Sequence, residues 1–108
     1  MDVTIGRIVL YTLSEDDAKQ INRRRTSGEA IAGRIKRNTE DATYWPIGAQ
    51  AHIGNEVKAG DEFPMMVTRV WESGYVNGLV LLDGNDCLWA TSVHEGTEPH
   101  SWAWPARN

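Results

Sequence analysis

The second half of the chain is cut at regular intervals by turn signals, and this constrains its fold more than any other feature. "KAGD" at 58–61, "ESG" at 72–74 and "GND" at 84–86 separate the runs "PMMVTRVW", "YVNGLVLLD" and "CLWATSV". Short runs rich in β-branched and aromatic residues, bounded by Gly, Asn and Asp, read as strands of a small twisted barrel. Val67, Val70 and Trp71 are expected on one such strand, with Trp71 in the core. "DGND" at 83–86 reads as a hairpin turn with Gly84 at positive φ. Trp71, Trp89, Trp102 and Trp104 all lie in the last third, so the densest apolar contacts are expected there.

The first half has a different texture. "VTIGRIVLYT" at 3–12 is a strand signal. Ser14 followed by Asp17 forms a capping box, with acids in the first turn of a helix that runs through "DAKQINRR". Ala18 and Ile21 should face inward. Thr26 or Ser27 can cap a second helix, "GEAIAGRIKRN", in which Ile31 and Ile35 share a face. Gly28 and Gly33 weaken it by roughly 1 kcal/mol each, so it needs packing, for instance against another subunit. Residues 39–46 read as a loop in which Pro46 holds Trp45 extended.

The length of 108 residues allows one domain. The expected division is helical decoration over about 14–38 and a β core over about 47–105. The net charge of −4 is uneven: residues 1–48 carry eight basic and seven acidic side chains, residues 49–108 three and eight. The stretch "INRRRTSGEAIAGRIKRN" alone has six basic side chains against Glu29. A general nucleic-acid binder is basic overall, so long nucleic acid is not the expected partner and any anion site must be local. The single cysteine, Cys87, cannot form an internal disulfide or a zinc site by itself. With no signal-peptide pattern and no apolar run long enough for a bilayer, a cytoplasmic protein without membrane contact is expected.

Arg23, Arg24 and Arg25 are the strongest local signal. Consecutive helical residues project about 100° apart, so at most two of them can aim at one ligand. The planar guanidinium fork suits phosphate. The same run also reads as a solvated helix end that complements the negative pole of the helix dipole. His52, His94 and His100 lack metal-ligand spacing, and no metal site is expected. His52, near Gln50 and Asn55, reads either as a binding group or as a structural histidine. No GxSxG elbow is present, and Cys87 has no adjacent base, so no catalytic residue is assigned. Asn77 is out of place in a strand. Either it marks a bulge beside Gly78, or it reads a base edge, as Gln50, Asn55 and Asn85 could also do. Trp102 and Trp104, two apart, face one side of a strand, as core or as a platform for a purine.

The runs "GDEFPMMVTRVW", "VNGLVLLDGND", "LWATSV" and "SWAWP" resemble small phage-encoded proteins with an SH3-like β core. The leader "IVLYTLSEDDAKQINRRRTSGEAIAGRI", followed by "WPIGAQAHIGN", resembles the helical decoration of the first Thoeris anti-defence family of phage sponge proteins. The resemblance implies an α+β fold: a small SH3-like antiparallel β barrel decorated by an N-terminal strand and two short helices. It implies sequestration without catalysis or cofactor in an infected bacterial host. The ligands would be cyclic ADP-ribose isomers made by TIR-domain enzymes and, in some members, cyclic oligonucleotides. It further implies a homo-oligomer, dimer or hexamer, assembled through the helices. In that reading Arg23, Arg24 and Arg25 take phosphate, Tyr75 stacks on adenine, and Asn77 or Asn85 reads a base or ribose edge. Gln50 and His52 are further candidates. Two other classes stand beside it: a phage-encoded SH3-like interaction or structural module, and a small hydrolase that degrades the signal.

Overall fold

Alternation along the strands decides which side chains meet. Val9, Tyr11 and Leu13 point one way from the first strand, and all three are fully buried. Met65 and Val67, then Val76 and Val80, then Leu88, Ala90 and Val93, and finally Trp102, come from the other strands to the same interior. The computed structural model describes residues 2–26 and 55–106. Its elements are β1 (Ile8–Thr12), α1 (Glu15–Thr26), β2 (Glu62–Val70), β3 (Val76–Leu81), β4 (Cys87–Glu95) and β5 (Ser101–Ala103). The five strands close into a barrel in sequence order, with β5 returning to pair with β1.

Two expectations are corrected. The N-terminal strand is no decoration: β1 pairs antiparallel with both β2 and β5, and the barrel cannot close without it. Nor is the barrel wholly antiparallel, because β5 runs parallel to β4. One helix is present among the described residues. The second expected helix at 28–38 lies outside them, as do Gln50 and His52.

Helix α1 starts where the sequence signals it. The Ser14 N–H donates to Asp17 Oδ2 at 3.0 Å, and the Asp17 N–H donates to Ser14 Oγ at 3.1 Å, a reciprocal capping box. Acids fill the first turn and arginines the last, which suits both poles of the helix dipole. Ala18 and Ile21 join the barrel core. Further along, the Asn22 amide binds Val57 as a peptide group would. It donates to the Val57 carbonyl at 2.6 Å and accepts from the Val57 N–H at 2.9 Å.

Asn77 marks a bulge on both sides. Thr68 is the extra residue where β2 passes β3, between the pairs Val67–Gly78 and Arg69–Asn77. On the other side, Thr91 and Ser92 together oppose Asn77, and Ser92 takes a left-handed φ of 54°. The Asn77 Oδ1 accepts from the Ser92 N–H at 2.9 Å and from the Trp71 indole N–H at 3.1 Å. Gly78 is required by close approach: a Cβ there would lie 2.5 Å from Met65 Cγ and 2.8 Å from the Met66 carbonyl oxygen. Gly60 and Gly74 take positive φ in the expected turns, and so does Gly6, but Gly84 is not among the left-handed glycines. The bend between β3 and β4 is longer than a two-residue hairpin turn and does not need that conformation.

The tryptophans do not all go inside. Trp102 is buried and meets Trp104 edge-to-face at 5.6 Å. Trp71, expected in the core, sits just past β2 and is 41% exposed, so truncating it would not open the barrel. Trp89 is 55% exposed because it occupies the outward parity of β4. It ends a cross-strand row of apolar side chains on the outside of the barrel, Ile8–Met66–Leu79–Trp89. The adjacent row contains the pairs Leu10–Pro64 and Leu81–Cys87.

Candidate functional site

The three arginines of α1 meet different surroundings. Arg25 is buried, with its side chain turned into the protein. Its Nε and Nη2 donate to the two carboxylate oxygens of Asp86 at 2.9 and 3.0 Å, and Nη2 also reaches Asp83 Oδ1 at 3.0 Å. Its Nη1 donates to the Asn55 carbonyl. Burial pushes the Asp86 and Asp83 carboxyls up, but the hydrogen bonds and charge of Arg25 outweigh it and hold both below the ordinary value of 3.8. The expectation that Arg25 grips a ligand is therefore corrected: its donors are already engaged inside the chain. Arg24 is exposed and donates to the Cys87 carbonyl at 3.3 Å, and its charge helps to lower Asp86. Arg23 is exposed.

The remaining expected residues divide between the two ends of the barrel. Asn85 lies in the bend after β3, beside the Asp83–Arg25–Asp86 cluster in sequence. Tyr75 and Asn77 lie at the start of β3, beside Trp71. The length of β3 separates these groups by roughly 17 Å. The arginines of α1 and the ring of Tyr75 therefore do not converge on one small ligand within a single chain.

At the Tyr75 end the outward side chains make a hollow of about 600 Å³ lined by Arg69, Val70, Trp71, Glu72, Ser73, Tyr75 and Ser92. The Thr68 bulge turns Arg69 to the outer face by pairing it with Asn77. The Arg69 guanidinium lies 4.1 Å from the centroid of the Trp71 ring, a cation–π stack. No carboxylate forms a salt bridge with it among the described residues. Tyr75 is 43% exposed, and its ring lies 5.8 Å from that of His94 at a tilt of 42°. The Asn77 Oδ1 is engaged within the chain, where it holds the bulge and the Trp71 indole together. Sequence reasoning found Tyr75 and missed Arg69, Trp71 and Ser92. The signal was the Arg–x–Trp spacing of Arg69 and Trp71, which puts a cation and a π-face on the same side of an extended chain.

Two polar clusters have catalytic residue types. In the first, His94 Nε2 lies 2.6 Å from Glu98 Oε1 and 3.1 Å from Ser101 Oγ. The contact with His94 takes the Glu98 carboxyl down to about 2. Acid and hydroxyl meet the same ring nitrogen, so the imidazole cannot relay a proton between them, and Ser101 is fully buried. In the second, the buried Tyr11 hydroxyl donates to Asp17 and meets His100 Nδ1 at 2.7 Å. Burial, and then Asp17, push the Tyr11 phenol far above its ordinary range. This cluster ties β1 to the cap of α1 and to His100, whose φ of 62° is left-handed and whose N–H donates to the Thr12 carbonyl. It is a structural brace. Among the described residues, no group of three or more His, Cys, Asp or Glu side chains is placed to hold a metal ion. No family model, no curated protein and no solved structure matches the chain, so the hollow is read from its own geometry alone.

Proposed function

We propose that this protein is a non-catalytic binding protein that captures a nucleotide-type ligand in the hollow at the β2–β3 turn. The observation that supports this most is the placement of Arg69, stacked on Trp71, and the exposed ring of Tyr75 on the lining of one open hollow of about 600 Å³. A base has a π-face to offer Tyr75 or Trp71, and a phosphate suits the unpaired fork of Arg69 and the hydroxyls of Ser73 and Ser92. The class of ligand follows the resemblance to the first Thoeris anti-defence family: a cyclic ADP-ribose isomer or a cyclic oligonucleotide, held without chemistry so that a bacterial immune signal is lost. An SH3-like form of the barrel, a phage origin, action in the host cytoplasm and assembly into dimers or hexamers belong to the same proposal. Arg23 and Arg24 remain available to a second, separate anion contact. Arg25 does not.

The test is a thermal-shift and calorimetric panel of cyclic ADP-ribose isomers, cyclic di- and trinucleotides, and ADP-ribose. One member should raise the melting temperature and be recovered intact after denaturation. Tyr75→Ala should weaken its binding by roughly 1–3 kcal/mol, the value of a base–aromatic stack, without changing the fold. A panel that moves nothing, or a Tyr75→Ala variant that binds as well as the parent, would remove the proposal. Ligand returned as fragments would favour the hydrolase. The interaction-module reading also has support, from the two apolar rows on the outer face.

A further inference from the structure

Beside the hollow at the β2–β3 turn lies a second one of about 690 Å³, lined by Val3, Thr4, Ile5, Thr68, Arg69 and Val70. The two share Arg69 and Val70, so they are neighbouring compartments of one surface. The chain before β1 builds the second. Residues 4–7 form a type II turn: the Arg7 N–H donates to the Thr4 carbonyl at 3.2 Å, and Gly6 has the positive φ, 92°, that the third position requires. Two backbone bonds to Val67 fasten this turn beside the Thr68 bulge. The Gly6 N–H donates to the Val67 carbonyl at 2.8 Å, and the Val67 N–H donates to the Arg7 carbonyl at 2.9 Å. Ile5 is thereby held out from the barrel, 69% exposed, while Val3 packs against the core.

The two compartments differ in chemistry. The first offers the rings of Tyr75 and Trp71. The second offers three aliphatic side chains and two threonines, which suit the face of a base and the hydroxyls of a ribose. Across both linings the charged side chains are Arg69 and Glu72. One guanidinium, with a carboxylate in the same lining, balances a single phosphate charge. A diphosphate would bring a second charge with nothing among the described residues of either lining to meet it. The stack on Trp71 occupies a face of the Arg69 guanidinium and leaves the N–H donors at its edge for that one phosphate.

On the reading of the first hollow as a nucleotide site, we propose that the ligand is a dinucleotide unit: two nucleosides joined by one phosphodiester. Arg69 holds the phosphate where the compartments meet, and Tyr75 takes the first base. Ile5, with Val3 and Val70, takes the second nucleoside. Ile5 is then the side chain that sets how long a ligand the site prefers.

Calorimetry with AMP, linear 3′,5′-linked ApA and cyclic di-AMP tests this. ApA should bind at least about tenfold more tightly than AMP, because the second nucleoside adds the contacts of its own rings. Ile5→Ser should remove most of that advantage and leave the affinity for AMP unchanged, whereas Tyr75→Ala should weaken both ligands. Should Ile5→Ser not fold, the methyl resonances of Ile5 and Val3 in the unmodified protein serve instead: ApA should shift them and AMP should not. AMP bound as tightly as ApA, ApA binding undiminished in Ile5→Ser, or methyl signals that ApA leaves unmoved would each overturn the dinucleotide and leave the Tyr75 site standing. Nucleotide binding that Tyr75→Ala does not weaken would remove both. Equal affinity for ApA and cyclic di-AMP assigns the unit to a linear strand, and a preference for the ring assigns it to a free cyclic nucleotide; either result supports two nucleosides about one phosphate.

Discussion

Three consecutive arginines on α1 differ by only about 100° of rotation each, yet that decides everything about them. Arg25 turns inward and meets Asp86, Asp83 and the Asn55 carbonyl, while Arg23 turns to water. Removing one partner of a buried, hydrogen-bonded ion pair leaves the other charge stranded. Arg25→Ala should therefore cost roughly 3–5 kcal/mol of stability in urea unfolding, against less than about 0.5 kcal/mol for Arg23→Ala. The same cluster sets an acid limit. Asp83 and Asp86 have folded values below 3.8, so their contribution is present above that value and is lost as the pH falls through the lowered ones. Melting temperature should decline as the pH drops below about 4. In Arg25→Ala that decline should be shallower. A run of like charges announces a basic surface in the sequence. It does not say which member faces an acid some 60 residues further on.

At the scale of elements, local chemistry was the legible part. The capping box at Ser14 and Asp17, the inward pair Ala18 and Ile21, and the turns at Gly60 and Gly74 depend on neighbours within a few residues and appear where the spacing puts them. What stayed hidden depends on register. Trp71 and Trp89 look like core from composition, and only the bulges and the parity of β4 turn them outward. The odd asparagine in β3 had two readings, and the structure shows the first of them, a bulge. Gly78 beside it is fixed by the side chain of Met65. Gly78→Ala should lower stability by roughly 1–3 kcal/mol through overpacking. The candidate site was half legible for the same reason: Tyr75 was visible as an aromatic at a strand start, and the Arg–x–Trp spacing puts Arg69 beside Trp71, but only the bulge at Thr68 turns that pair outward.

For the whole molecule, the seam matters most. β5 contributes three residues, paired antiparallel with β1 and parallel with β4, and these complete the ring. It also carries the buried Trp102. A chain ending at residue 100 should lose cooperative thermal unfolding, because a large core aromatic, worth roughly 3–5 kcal/mol, leaves together with the closing strand. Closure also limits how anything can be recognised. An open sheet can accept a peptide as an extra strand and hold it by main-chain hydrogen bonds that care little for side-chain identity. Among the described residues, closure of the five strands removes most of the rim for such β-augmentation and leaves the stretch of β4 before His94, which β5 does not reach. What the paired part of the ring holds is held by side chains on its outside, so those preferences can be rewritten one codon at a time while the backbone stays as it is.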